Sequence, residues 1–394
     1  MKPIGGGRRA AVVAVATLAL AISACGGHAK PSASKRVTTT TVPPTSTSIA
    51  KKKAPPEKPR TDKPRAHKPR THKRPARAAV HHVALCPLTG LPAPGGHVPR
   101  HAGLVVKVEN LPQARPQWGI DKADIVFEEP VEGAITRFVA VYDCQSAARI
   151  EPVRSGRFDD PNILEPLGKL LFAYAGAVQP VINEVDSRRS LLGDVGILKA
   201  PSSYSFDPDR YAPHNLVSST SALEAAGRAL GYPEKPPHAI FSYGPPVPGG
   251  TPASQVDVRS PLDVTTWTWR RATGLWYRSY SDTGPAMQGD GRQIAVSNLI
   301  VMLVHNDESP LIEDDTGAHE YVVHLKGSGP AWVFRDGRQY FGRWKRPKLA
   351  DPTVFVDQDG TKVKLTPGTT WEELVPFGGT GPTPTWTGSV SVKP

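Results

Sequence analysis

The chain has 394 residues and a formal net charge of +12. That charge is confined. Residues 1–85 contain no Phe, Trp or Tyr and hold the whole basic excess, while 86–394 carry every aromatic residue and a net charge of −4. A nucleic-acid-binding body would place its positive charge on its own folded face, so no nucleic-acid partner is expected.

Lys2, Arg8 and Arg9 precede a stretch over 10–22 that is apolar apart from Thr17 and runs into Ser23-Ala24-Cys25. The stretch is too short to span a bilayer and suits the core of a signal peptide. The small residues before Cys25 resemble the bacterial lipobox. The resemblance implies export, cleavage before Cys25 and acylation of its thiol by chains such as palmitate, which would anchor the protein to the outer, extracytoplasmic face of the cell membrane. An ordinary secretory signal and an uncleaved anchor are the alternatives. Arg8-Arg9 lacks the residues that flank a twin-arginine signal.

Residues 26–85 hold Thr/Pro/Ser-rich sequence and then Lys-Pro-Arg at 58–60, 63–65 and 68–70. Without aromatic residues such a segment has too little apolar surface to offset ordering entropy, which predicts a disordered, extended tether. It is a solvated spacer, or an electrostatic contact for anionic lipid or an anionic wall polymer. His81-His82 lies in it with no assignable role. Cys86 and Cys144 remain once Cys25 is acylated, and an oxidising compartment favours a bridge between them. A nucleophilic thiol at Cys144 is the alternative, although no His lies near it in sequence.

Over 86–237 the pattern predicts strands at 104–108, 125–128, 136–142 and 171–174, and a short helix over 162–170 interrupted near Pro166. A capping box at Ser221 and Glu224 opens a second helix that Gly231 closes. The segment at 109–142, ENLPQARPQWGIDKADIVFEEPVEGAITRFVAVY, packs Glu109, Arg115, Asp121, Asp124, Glu128, Glu129, Glu132 and Arg137 among apolar strands. Charge carried so close to a core has to be paired or used.

This segment, with EPVRSGR at 151–157, APHNL at 212–216, GSG at 327–329 and GRW at 342–344, resembles the YerB-like bacterial lipoproteins, a family built of an N-terminal and a C-terminal domain of unknown function. The resemblance covers most of 86–394 and implies an envelope lipoprotein without supplying a reaction. It departs at YAGAV, 174–178, where the family carries a His-Ala-Gly-Gly-Ser-like turn. The polar residues that match are Asn110, Arg115, Glu128, Glu132, Arg137, Arg154, Arg157, His214 and Asn215. Arginine forks suit carboxylate or phosphate, and the set describes a pocket for an anionic or sugar-containing wall precursor. The competing reading is an internal network with Glu128 and Glu132 paired to Arg137 and Arg154.

No nucleophile elbow or phosphate-binding loop is present, so the catalytic residues are unknown and no cofactor is expected. His319-Glu320 and His324 lack the spacing of a zinc helix, and no metal is expected there. Residues 238–394 read as strands and turns, with a hairpin at 265–280, a long strand at 294–304, further strands at 321–325, 332–335 and 339–344, and tight turns at Asp336-Gly337 and Asp359-Gly360. His305 to Glu308 end one of these strands. Trp267, Trp269, Trp276, Trp332, Trp344 and Trp371 either fill a small β-core or stack on sugars. Residues from 378 to the C-terminus read as a frayed tail.

The expected fold is α+β or mixed α/β: an N-terminal α/β domain over 86–237, followed by a smaller β-rich domain over 238–394. The expected protein is a lipid-anchored, non-catalytic binding or scaffold module of the cell envelope, for a wall-related ligand or a wall-synthesis protein. The alternative is an envelope glycan hydrolase or transferase using Glu128, Glu132 and His214.

Overall fold

The computed structural model describes residues 83–260, 263–313, 317–380 and 387–394. The signal segment with Cys25 and all of the tether up to residue 82, with its His81-His82 pair, lie outside these residues. The first half contributes β1 (Gly103–Glu109), β2 (Ile125–Pro130), β3 (Thr136–Tyr142), β4 (Leu170–Ala173) and β5 (Leu192–Asp194), with helices α1 (Asp160–Leu164), α2 (Gln179–Ser187) and α3 (Thr220–Ala229). The second half contributes β6 (Gln255–Arg259), β7 (Val264–Arg270), β8 (Leu275–Tyr280), β9 (Asn298–Ile312), β10 (His319–His324), β11 (Gly327–Arg335), β12 (Arg338–Arg346), β13 (Val354–Asp357), β14 (Thr370–Pro376) and β15 (Ser389–Lys393).

Strands from both halves form one sheet, in the order β13-β12-β11-β9-β14-β2-β3-β1-β4-β5. Strand β10 adds to β9, and Thr251–Pro252 to β12. Strand β14 runs parallel to β9 on one side and to β2 on the other, so it joins the strands of 86–237 to those of 238–394. β1, β4 and β5 also pair in parallel, while the remaining main-sheet neighbours are antiparallel. The fold is therefore mixed, but the first half is not a clear α/β layer. Its helices are five, nine and ten residues long, and strands dominate.

Side chains alternate across a strand, so the sheet buries two faces. On one face Val106, Val108, Phe138, Ala140 and Trp371 pack against Val256, Val258, Trp267 and Trp276 of a second sheet ordered β8-β7-β6-β15. On the other face Val105, Phe127, Val139, Phe172, Met302, Tyr340 and Trp344 form a second core beneath α1 and the loops. Both faces of β1, β2 and β14 are fully buried, so the two charged residues that each of these strands carries need partners.

Several local expectations change. The first helix is α1 followed by a 3₁₀ turn, Glu165–Leu167, as Pro166 dictates. The N-cap of α3 is Ser219, whose Oγ accepts from the Ala222 amide at 3.2 Å, so the Ser221/Glu224 capping box does not form. Glu224 instead approaches His101 at 3.8 Å. Residues 389–393 are not frayed: β15 pairs with β6 over five positions. Trp267, Trp276, Trp344 and Trp371 are buried, so these four fill cores rather than stack on sugars. The Asp336-Gly337 turn has positive φ at both residues, as the tight β11–β12 hairpin requires.

Candidate functional site

The period-two alternation of β2 sends Glu128 to the side of the second sheet and Glu129 to the opposite side. Strand β14 places Glu373 directly beside Glu128. Two adjacent buried carboxylates would repel, and β8 answers them with Arg278, which is fully buried. Arg278 grips Glu128 with two nitrogens, at 2.8 and 3.1 Å, and reaches Glu373 at 3.4 Å. Its guanidinium carbon sits 4.8–5.4 Å from the ring centroids of Phe138, Trp267, Tyr280 and Trp371. Burial works against the Arg278 charge, but Glu128, Tyr280 and Glu373 outweigh it and raise its pKa. Burial and then the Glu128 charge push Glu373 up to about 8, against the pull of Arg278 and the Trp267 hydrogen bond.

Glu128 is saturated. Besides the two Arg278 bonds it accepts from Trp371 Nε1 at 3.0 Å, Thr136 Oγ1 at 2.7 Å and Asn110 Nδ2 at 3.2 Å. Tyr280 donates to Asn110 Oδ1 at 3.0 Å. Above this floor opens a cleft of about 200 Å³ between the two sheets. Its polar rim is Arg115, Asp263 and Asp282; its apolar wall includes Leu111, Pro112, Ile135, Val258 and Val375. Arg115 lies over the Tyr280 ring at 3.4 Å, bonds Asp282 at 3.1 Å and donates to the Asn110 carbonyl at 3.0 Å.

Of the nine matching polar residues, Asn110, Arg115 and Glu128 line this cleft. The others do not join them. Glu132 accepts from Arg137 at 2.7 Å and from Arg157 Nε at 2.8 Å. Burial would raise Glu132, but Arg137 and Arg157 outweigh it and hold the carboxyl below its usual range. Burial and the neighbouring Arg157 bring Arg137 down to about 10. Arg157 also reaches Glu313 at 3.1 Å. Arg154 and His214 both bind Glu109, at 3.2 and 2.9 Å, and Asn215 donates to the Arg210 carbonyl at 3.4 Å. Lys107, fully buried, bridges Glu129 and Asp160 on this same side of the sheet.

Two pairings differ from the expected network: Glu128 is held by Arg278, and Arg154 by Glu109. The expected constellation is thus cut by the sheet. Glu128 faces one side, Glu132 and His214 the other, and they share no partner, so this trio forms no joint acid/base site. Residues absent from the sequence-derived set are Arg278, Glu373, Tyr280, Asp263 and Asp282. A signal for the first two existed. Arg278 stands between Trp276 and Tyr280 at the inward phase of β8, and Glu373 between Trp371 and Val375 at that of β14. Cys86 and Cys144 are joined by a disulfide that ties the start of the body to the end of β3.

Residues 88–233 match the family model described as "Protein of unknown function (DUF3048) N-terminal domain", and 256–371 match its C-terminal domain. The curated protein "Putative lipoprotein YerB" of Bacillus subtilis strain 168 is 25% identical over 302 residues, covering 74% of this chain and 86% of its own. The crystal structure of the YerB protein from Bacillus subtilis superposes with a TM-score of 0.62 at 22% identity, over 78% of this chain and 99% of that one, a likeness in fold. With both domain models matched in order across one shared sheet, the chain belongs to the DUF3048 family, in which it is similar to YerB.

Proposed function

We propose that the protein is an exported lipoprotein, anchored through Cys25 to the outer face of the membrane, whose body binds a wall-related ligand in the cleft between the sheets. The anchor rests on the lipobox-like run ending at Cys25 and on a relative whose name carries the word lipoprotein. The binding role rests on one observation: Glu128, the carboxylate at the cleft floor, accepts five hydrogen bonds, two of them from Arg278. A carboxylate so saturated is a fixed wall and a poor proton carrier. The apolar wall and charged rim suit a small amphiphilic wall fragment.

Isothermal titration with muropeptides from digested cell wall tests this. The wild type is expected to bind, and Ile135→Trp, which fills the cleft, to lose binding with its melting temperature kept. Equal binding by both proteins removes the cleft from the function. New products appearing in the mixture would make the protein an enzyme instead. Replacing Cys25 by Ser should move the protein from the membrane fraction to the soluble one; continued sedimentation with membranes would overturn the anchor.

A further inference from the structure

A different surface carries three cations, Lys326, Arg343 and Lys345, outside any ion pair with a carboxylate among the described residues. In the β11–β12 hairpin, Trp332 lies opposite Phe341, Pro330 opposite Arg343, and Ser328 opposite Lys345, so each pair shares one face of the ladder. That face is open: Phe341, Arg343 and Lys345 are exposed and Trp332 is half-buried. The Trp332 and Phe341 rings stand 4.6 Å apart, an aromatic platform beside the charges. At its end lies a groove of about 380 Å³ lined by His305, His324, Lys326, Ser328, Arg343 and Phe377. The Phe377 ring is 51% exposed there.

The buried arginines Arg137, Arg157 and Arg278, and the partly buried Arg154, each meet a carboxylate, whereas Arg270 and Arg338 bond only Gln293 and a carbonyl. Arg343 donates to Ser328 Oγ at 3.1 Å and, like Lys326 and Lys345, pairs with no carboxylate among the described residues. The acid at the groove, Asp307, is occupied by His305 at 3.2 Å, by His324 at 2.7 Å and by Thr380. Two imidazoles, an ammonium, a guanidinium and a hydroxyl therefore surround one groove in a body that is acidic as a whole.

Unpaired cations on a groove attract anions, and a guanidinium fork matches phosphate oxygens. Exposed ring faces beside them cover the apolar faces of sugars or polyols between successive phosphates. We propose that this strip is a binding site for a polyanion with phosphodiester-linked sugar or polyol units. The choice of such a polymer over nucleic acid rests on the envelope location proposed above; the strip's affinity for phosphodiesters does not.

The full-length protein in neutral detergent is titrated with poly(glycerol phosphate), single-stranded DNA and vesicles containing phosphatidylglycerol. Every variant keeps the basic tether, so the tether's own contribution is constant. The double variant Lys326→Ala/Arg343→Ala is expected to lose about tenfold or more in affinity for poly(glycerol phosphate), with its melting temperature unchanged, because two charge-assisted contacts go. Phe341→Ala should weaken that polymer more than polyphosphate of equal charge, which has no carbon face to cover. Unaltered polymer affinity in the double variant overturns the site. Tighter strip-dependent binding of DNA, or of the vesicles, overturns the assigned polymer class. Failure to bind muropeptides would remove the cleft reading and leave this one standing.

Discussion

Arg278 is where the consequences of a single side chain are largest. It neutralises Glu128 outright and lies against Glu373, with no route to water. Arg278→Met keeps the length but leaves a buried carboxylate unpaired, and should cost about 3–5 kcal/mol in urea unfolding. Arg278→Met combined with Glu128→Gln should be milder than the sum of the two, because the stranded charge is gone; strict additivity would show that the pair is not the unit. The sequence made Glu128 visible as a charge among strands, yet not its partner. The pairing spans 150 residues and depends on two sheets facing each other, which local pattern does not encode. Glu132 with Arg137, five residues apart across one turn, was legible for the opposite reason.

Among the elements, strands were easier to read than ends and caps. The limits of β3 are those the alternation predicts, since its residues carry both a strand propensity and a two-faced core. Helix α2 was missed. It is nine residues long with Val181 and Val185 as its buried residues, too little for a periodic signal. The C-terminal strand β15 was missed because its Ser-Val-Ser-Val-Lys alternation sits behind a Gly/Pro/Thr stretch typical of tails. The Cys86–Cys144 bond closes a loop of 58 residues between a turn and β3. Replacing both cysteines by Ala should lower stability by about 4 kcal/mol on the chain-entropy account. Denaturant midpoints with and without reductant check it; if reductant leaves the wild-type midpoint unchanged, the bond contributes nothing.

For the molecule as a whole, the buried acids set a pH dependence. Burial, as the leading cause, raises Asp124 to about 6, Glu129, Asp143, Asp159 and Glu372 to about 7, and Glu373 to about 8. A folded-state pKa above the unfolded one means that the folded protein keeps protons the unfolded chain releases. The resulting stability is complete below the unfolded values and is lost as pH rises through the folded ones. Melting temperature should therefore fall between about pH 5 and pH 8.5, and a flat or rising profile would contradict the protonated core.

The central place of β14 bears on the order in which the protein can be completed. Synthesis delivers the N-terminus first, yet β2 and β9 meet only through a strand formed by residues 370–376. Until those residues arrive, both neighbours keep an unpaired backbone edge, the kind that recruits strands from other chains. A nascent or truncated chain ending before Thr370 is thus two half-sheets with sticky margins. Such a chain would need shielding until the segment from Thr370 onward appears, and a nascent chain crossing a membrane in an extended state would have that shielding built into its route.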